Sequence, residues 1–185
     1  MLKIGIITGS TRPGRVNLQV AEWIKSIAAV RSNATFEVVD IQDYNLPLYN
    51  EPVPALFATE YQTPEATPWS KKINELDGFI FVTPEYNRGV TSALKNAIDY
   101  LYNEFVNKAA GIVSYGSAGG TTAAQQLRLI LTVPQVATVS TQPALNLFTD
   151  FEEMRIFKPG PHHQNTIEQM LDQVVAWSGA LKTLR

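Results

Sequence analysis

Three apolar segments of the chain each run directly into a loop of small and polar residues, and this repetition constrains the fold strongly. The segments span residues 3–8, 78–83 and 109–114, and the loops span residues 9–15, 84–89 and 115–120. A helical pattern follows each loop, and the order strand, loop, helix is typical of a parallel α/β sheet. Ligands of such sheets bind beyond the carboxyl ends of the strands, where the strand order reverses. We therefore expect the three loops to converge on one ligand.

Apolar spacing along the rest of the chain predicts the remaining elements. Two further strands are expected at residues 35–40 and 136–141. Helices are expected at residues 17–30 and 69–76, then through residue 100 or 102 with Ser92 or Thr91 as the N-cap, then up to about residue 131, and at 163–184. Residues 41–68 contain five prolines and should hold little regular structure. A loop of this length inside a domain is usually functional, often as a lid or an interface.

Composition places the chain among ordinary globular proteins. Its 185 residues are 45% hydrophobic and 17% charged, enough for one domain over residues 1–185 with a full core. The net charge of −2 gives no reason to expect a nucleic-acid partner. Without cysteine the chain has no disulfides, thiol catalysis or cysteine-ligated metal. No apolar run resembles a signal segment or a membrane span, so we expect no membrane association and a cytoplasmic protein.

The first loop has the chemistry of a phosphate site without matching the better-known phosphate loops. Gly9 and Gly14 have the spacing of a nucleotide-triphosphate loop, but Arg15 replaces the lysine and Val16 replaces the magnesium-binding hydroxyl. The dinucleotide pattern G-x-G-x-x-G is also absent. The loop does offer donors suited to a phosphate monoester at a helix N-terminus, namely Ser10, Thr11, Arg12, Arg15 and Asn17. An ordinary loop with solvated arginines is the alternative, and the two partner loops favour the phosphate.

The second and third loops have the composition of a site for a planar ring. In the second, Pro84 ends the strand and Gly89 permits a backbone turn. Between them stand polar groups and one aromatic face, from Glu85, Tyr86 and Asn87. The third loop has three glycines within residues 116–120, which let backbone amides approach a planar ligand closely. Taken singly, each loop could also be a simple structural connection.

Five motifs, in order along the chain, resemble the NAD(P)H-dependent FMN reductase family. They are Gly9-Ser10-Thr11-Arg12, then Leu46-Pro47-Leu48, then Pro84-Glu85-Tyr86-Asn87, then Leu94-Lys95-Asn96-Ala97-Ile98-Asp99, and then Ser114-Tyr115-Gly116 with Gly119-Gly120. The resemblance covers residues 1–131 and is most specific over residues 84–99. The family includes quinone, azo-dye and chromate reductases and has a flavodoxin-like fold.

The resemblance implies a three-layer α/β sandwich with a five-stranded parallel sheet in the order 2-1-3-4-5. It also implies non-covalent binding of FMN. The FMN phosphate would be held by residues of the first loop, namely Ser10, Arg12, Arg15 and Asn17. The isoalloxazine ring would be bordered by residues of the other two loops, namely Pro84, Glu85, Tyr86, Asn87, Ser114, Tyr115, Gly116 and Ser117. The chain departs from the family pattern at Arg15, where many members have serine, and at residues 88–91.

The function implied is transfer of two electrons from NAD(P)H through FMN to a quinone, an azo compound, free flavin or a similar acceptor. Because the flavin performs this chemistry, no side chain is assigned as catalytic. The resemblance also implies a homodimer or homotetramer. Two alternatives remain. A one-electron flavodoxin carrier typically lacks arginines in its phosphate loop and is strongly acidic, unlike this chain. A non-catalytic flavin-binding or interaction module would keep the fold without turnover.

Other conspicuous residues receive structural interpretations. His162 and His163 are adjacent and have no carboxylate at ligand spacing, so we expect a solvated loop rather than a metal site. The three tryptophans are expected in the core or an interface. A polar set on the helix after the second loop should bind a partner subunit or face solvent; it consists of Lys95, Asn96 and Asp99.

Overall fold

A parallel sheet between two layers of helices forms the centre of the computed structural model, which describes residues 1–185. The strands are β1 (Leu2–Thr8), β2 (Ala34–Val39), β3 (Gly78–Pro84), β4 (Lys108–Gly116), β5 (Val136–Thr138), β6 (Ala144–Asn146), β7 (Phe151–Glu152) and β8 (Ile156–Phe157). The α-helices are α1 (Asn17–Ala28), α2 (Ala66–Glu75), α3 (Ser92–Asp99), α4 (Thr121–Thr132) and α5 (His162–Leu181). Short 3₁₀ turns lie at Ile41–Tyr44, Ala55–Phe57 and Lys182–Leu184.

The strand order β2-β1-β3-β4-β5 confirms the predicted order and the flavodoxin-like fold. Strand β1 pairs in parallel with β2 on one side and with β3 on the other. The chain therefore goes from β1 to β2 on one side, then crosses back past β1 to β3 and continues outward to β4 and β5 on the other side. As a consequence, the loops that follow β1 and β3 leave neighbouring strands at the carboxyl edge of the sheet.

The predicted strand at residues 136–141 is divided into two strands. Strand β5 pairs with residues 108–110 of β4, and β6 pairs with residues 114–116, so the sheet has six strands rather than five. Pro143 stands directly before β6 and has no N–H to continue a ladder, although its carbonyl accepts from the N–H of Ser114 at 3.0 Å. The second short strand extends the sheet beside the start of the third loop.

The helices bury apolar stripes against both faces of the sheet. Helices α1 and α5 cover one face, and α2, α3 and α4 cover the other. Trp69 is buried in the second layer, where its indole N–H donates to the carbonyl of Ala97 at 2.7 Å, so the core assignment is confirmed there. Trp23 is partly buried and contacts the Phe157 ring edge-on at 5.2 Å. Trp177 is 45% exposed and lies at the surface.

Residues 41–65 contain only two 3₁₀ turns, as the prolines predicted, and α3 fastens this segment to the sheet. The Asn96 side chain accepts from the N–H of Tyr49 at 2.8 Å and donates to the carbonyl of Pro47 at 2.7 Å. Asn96, which was expected to bind a partner subunit or face solvent, is half-buried and makes both of these hydrogen bonds within the chain. Lys95 and Asp99, one helical turn apart, form an ion pair on the half-exposed side of α3.

The expectation of a solvated histidine pair was wrong for His163. This residue is buried in the first turn of α5, and its Nε2 lies 2.9 Å from a carboxylate oxygen of Asp150. Asp150 also accepts from the N–H groups of Asn146 and Gly160. Burial alone would raise the pKa of Asp150, but these hydrogen bonds and His163 outweigh it and lower the pKa. His162 is exposed and stacks on the neighbouring ring at 4.0 Å.

Lys108, the first residue of β4, is a buried cation at the amino edge of the sheet. Its Nζ donates to the carbonyl oxygens of Ile73 at 2.7 Å and Asn74 at 3.2 Å, at the end of α2. Burial lowers the pKa of Lys108 to about 7. No helix of the structure is both long enough and apolar enough to cross a membrane.

This buried lysine predicts a pH dependence of stability. Between pH 7 and the usual lysine pKa the unfolded chain binds one proton more than the folded chain, so the free energy of unfolding should rise with pH. The slope from this group is at most about 1.4 kcal/mol per pH unit. Urea unfolding at pH 7 and pH 9 should give a flatter dependence for Lys108→Met than for the unsubstituted chain. Equal slopes would show that Lys108 titrates normally.

Candidate functional site

The first loop is pressed against the neighbouring strand and the start of α3. A Cβ atom at Gly9 would lie 2.5 Å from the carbonyl oxygen of Val82 in β3, so only glycine fits there. The hydroxyl of Thr91 donates to the carbonyl of Gly9 and accepts from the N–H of Leu94 at 3.1 Å. Thr91 thus caps α3, as its sequence position predicted, and joins α3 to the first loop.

The N-terminus of α1 is left open by the protein. Its N-cap residue, Val16, makes no side-chain hydrogen bond, and the first turn has no acidic residue. The backbone N–H groups of Asn17 and Leu18 have no acceptor in the protein. The buried Asn17 side chain has a carbonyl oxygen without a partner, and its Nδ2 is 3.5 Å from the Ser10 carbonyl. Free N–H groups and the helix dipole together favour an anion at this position.

The two arginines of the first loop have different environments. Arg12 is exposed, and its guanidinium has no hydrogen-bond or ion-pair partner; it lies over the ring of Tyr86, with Cζ 6.0 Å from the ring centroid. The Arg15 guanidinium bonds to the side chains of Asp40 and Gln42, at the end of β2. Asp40 also accepts from the hydroxyl of Thr8 at 2.8 Å. Arg12 is therefore free to bind an anion, whereas Arg15 fastens the loop to β2.

The second loop contains a tight hairpin turn. Tyr86 and Gly89 exchange two backbone hydrogen bonds of 3.1 and 3.0 Å, and the two central residues, Asn87 and Arg88, have φ angles of 50° and 63°. The turn that was predicted to depend on Gly89 is therefore formed by Asn87 and Arg88, a position where asparagine is readily tolerated. The Tyr86 hydroxyl lies 2.9 Å from the hydroxyl of Ser10, which joins the second loop to the first.

Glu85 joins the second loop to the third. Its carboxylate accepts from the N–H groups of Thr122 at 3.0 Å and Ala123 at 3.1 Å, in the first turn of α4. The N-cap residue of that helix, Gly120, has no side chain to do so. The N–H of Glu85 donates to the carbonyl of Tyr115 at 3.0 Å. The carboxylate of Glu85 therefore faces α4 and acts as its cap.

In the third loop, two backbone segments pack closely against each other, residues 114–116 and residues 119–120. Ser114 is buried, and its hydroxyl donates to the carbonyl of Gly119 at 2.7 Å. Gly119 and Gly120 have φ angles of 73° and 66°, and a Cβ at Gly120 would lie 2.7 Å from the carbonyl of Tyr115. The Tyr115 side chain is in the core, where burial raises its pKa, while Ser117 is exposed.

The structure thus brings the predicted residues to one edge and divides them into two groups. Groups that are open at the surface come from Arg12, Tyr86, Asn87 and Ser117, together with the free N–H groups of α1. Side chains that hold the loops in place come from Arg15, Glu85, Ser114 and the buried Pro84 and Tyr115. The sequence analysis missed Asp40, which binds Arg15. Its only signal in the sequence is an acidic residue directly after β2. That signal points to the first loop only once β2 is known to pair with β1.

Comparison with known proteins identifies the family. A model of the NADPH-dependent FMN reductase family matches residues 2–150, and the chain belongs to that family. It is 39% identical over 149 residues to an NAD(P)H-dependent FMN reductase of Schizosaccharomyces pombe, covering 80% of this chain and 74% of that protein. It is 30% identical over 188 residues to a 2-hydroxy-1,4-benzoquinone reductase of a Burkholderia species, covering 95% and 96% of the two chains.

A solved structure gives the same fold. The flavoenzyme NAD(P)H:(acceptor) oxidoreductase of Paracoccus denitrificans superposes with a TM-score of 0.75 at 21% identity, covering 97% of this chain and 98% of that one. The family uses FMN as cofactor and NAD(P)H as co-substrate, and the chain is an oxidoreductase of this family. Its donor set fits FMN, because the uncapped α1 and the unpaired Arg12 suit a phosphate.

Because Glu85 caps α4, its removal should lower the stability of the folded protein. Glu85→Ala should lower the free energy of unfolding by about 1–2 kcal/mol, because two N–H groups of α4 lose their acceptor. Glu85→Gln keeps one acceptor oxygen and should lose less. Chemical unfolding with and without FMN measures both. If the alanine variant were as stable as the unsubstituted protein, the cap would contribute nothing.

Proposed function

We propose that the chain is an FMN-dependent NAD(P)H oxidoreductase that passes two electrons to a quinone, an azo compound, free flavin or a similar small acceptor. The observation that carries the proposal is the uncapped N-terminus of α1 beside the unpaired Arg12. The hydroxyl contact between Ser10 and Tyr86 joins this first loop to the second. A phosphate there would place the remainder of FMN along the carboxyl edge of the sheet. The name of the Burkholderia relative supports a quinone as acceptor.

In this proposal the first loop holds the phosphate and the other two border the isoalloxazine ring. Arg12, Ser10 and the N–H groups of Asn17 and Leu18 would donate to the phosphate, and Arg15 would keep the loop in place through Asp40. The turn at residues 86–89 and the backbone at 116–120 would border the ring. FMN held by these residues would supply the chemistry of hydride and electron transfer. The protein orients the flavin, and no side chain is assigned a proton transfer.

The test is anaerobic reduction of the FMN-loaded protein. One equivalent of NADPH or NADH should bleach the flavin absorbance, and one equivalent of a benzoquinone should restore it. Full bleaching per equivalent indicates two-electron transfer. Protein that binds FMN but stays oxidised with both nucleotides would be a carrier or a binding module, and the reductase proposal would be wrong. Repeating the reoxidation with an azo dye and with free FMN ranks the acceptors.

We also propose that the chain forms a homo-oligomer through the surface of α3 and α4. Leu129 and Val133, on α4 and at its end, are 71% and 67% exposed. They adjoin a shallow cleft with several apolar residues, among them Ile98, Leu101 and Ile130. Exposed apolar surface of this kind favours association with another protein. Light scattering should give a molar mass of at least twice the 20.5 kDa of one chain, and a mass of 20.5 kDa would contradict the proposal.

Arg12 should contribute affinity for the phosphate and not for the ring. Loss of a charge-assisted hydrogen bond costs about 1.5–3 kcal/mol, which is roughly ten- to hundredfold in affinity. Arg12→Ala should therefore weaken FMN binding by about that factor and leave riboflavin binding nearly unchanged, as fluorescence titration can measure. Lys71→Ala, which removes an exposed cation of α2 away from the three loops, is the control. Equal losses for FMN and riboflavin would place Arg12 away from the phosphate.

A further inference from the structure

The hairpin β7–β8 is a wall beside the first loop that lies just beyond residues 2–150, the part that matches the family. Gln19 of α1 holds it by both amide atoms. The Gln19 Nε2 donates to the carbonyl of Arg155 at 2.9 Å, and its Oε1 accepts from the N–H of Phe157 at 2.9 Å. The helix that begins at the first loop therefore also fixes the position of the hairpin.

The base of the hairpin is anchored in the core. The ring centroid of Phe157 lies 5.2 Å from that of Trp23 in α1 and 5.0 Å from that of Phe151. The ring centroid of Phe151 lies 5.7 Å from that of Tyr115 in β4. Aromatic contacts of this kind fix the two strands against the sheet layer. The tip has two consecutive residues, Glu153 and Met154, with φ angles of 49° and 54°. Residues other than glycine rarely adopt positive φ angles, so the backbone of the tip is strained. The anchored base holds the tip in this conformation.

An open cleft of about 620 Å³ separates the hairpin from the first loop. It is lined by residues 12–15, Gln19 and residues 153–155. The volume is in the range of small-molecule sites and exceeds that of a single phosphate. Ser10, Asn17 and the second and third loops do not line it, so the cleft is separate from the proposed ring site and shares only the first loop with the proposed phosphate site.

The cleft contains both arginines that have no partner. Five of the seven arginine side chains are hydrogen-bonded or ion-paired within the protein, namely Arg15, Arg31, Arg88, Arg128 and Arg185. The two others, Arg12 and Arg155, stand on opposite walls of this cleft. Glu153 is the one carboxylate among the lining residues, so the two unpaired cations leave an excess of positive charge. Guanidinium groups in this arrangement suit a phosphate.

We propose that this cleft binds a phosphate of the adenosine half of NAD(P)H, and that Arg155 is the residue that recognises it. The proposal rests on the proposed function, because a pyridine nucleotide is the co-substrate there. Arg12 borders both sites, and its several N–H donors can serve the FMN phosphate on one side and the nucleotide on the other. Arg155 serves the cleft alone. Glu153 opposes the bound phosphate through its charge.

The test is calorimetric titration of the FMN-loaded protein with 2′,5′-ADP and, in parallel, with ADP. Arg155→Ala should weaken binding of the phosphate that the cleft recognises by about tenfold or more. If only 2′,5′-ADP loses affinity, the cleft recognises the 2′-phosphate of NADPH. If both probes lose equally, it recognises the 5′-phosphate of the adenosine, which both probes carry and which NADH and NADPH share. Arg155→Lys should retain part of the affinity, and Glu153→Gln should increase it. Lys71→Ala, an exposed cation on the opposite face of the sheet, is the control.

Three results would overturn the proposal. The first is that neither probe binds the unsubstituted protein. The second is that Arg155→Ala leaves both titrations unchanged. The third is that this variant weakens FMN as much as it weakens the probes, which would make Arg155 a ligand of the flavin phosphate. None of these results depends on turnover. A failure of the proposed function would instead appear as flavin that NAD(P)H does not bleach.

Discussion

The reversal of strand order between β1 and β3 is the constraint on which the site depends. Because both strands run in the same direction and pair directly, their loops leave the sheet side by side. The first loop lies so close to β3 that a Cβ atom at Gly9 would be 2.5 Å from the carbonyl oxygen of Val82, which leaves no room for a side chain. The contact between Ser10 and Tyr86 then follows from the geometry of the sheet. A ligand that spans the first and second loops therefore lies across this reversal.

Capping explains why an anion should bind at α1 rather than at either of the two neighbouring helices. Helices α3 and α4 also begin at the carboxyl edge, but Thr91 caps the first and Glu85 caps the second. Of these three helices, only α1 has no side chain that accepts from the N–H groups of its first turn. The same carboxylate and hydroxyl also connect the loops to one another. The protein thus uses its own polar groups to fix the loops and leaves the charge of one helix terminus to the ligand.

Local signals predicted much of this arrangement, and non-local contacts account for what was missed. Apolar periodicity and small-residue loops are properties of short segments, so the three loops and the cap at Thr91 could be read directly. The division of the last strand into β5 and β6 depends on the length of β4, which no local pattern reveals. The pairs His163–Asp150 and Arg15–Asp40 each join residues far apart in the chain. Such pairs need the register of the sheet before they can be predicted.

The arginines near the carboxyl edge of the sheet differ in whether they have a partner within the protein. Arg15 is neutralised by Asp40 and acts as a fastener, so its charge adds little attraction for a phosphate. Arg12 and Arg155 have no partner for their guanidinium groups, and they come from separate segments, the loop after β1 and the hairpin beyond β6. The family model matches residues 2–150, and the hairpin that carries Arg155 follows directly after that range. If the hairpin recognises the nucleotide as proposed, substitutions in it would change selectivity among nucleotides without changing the three loops.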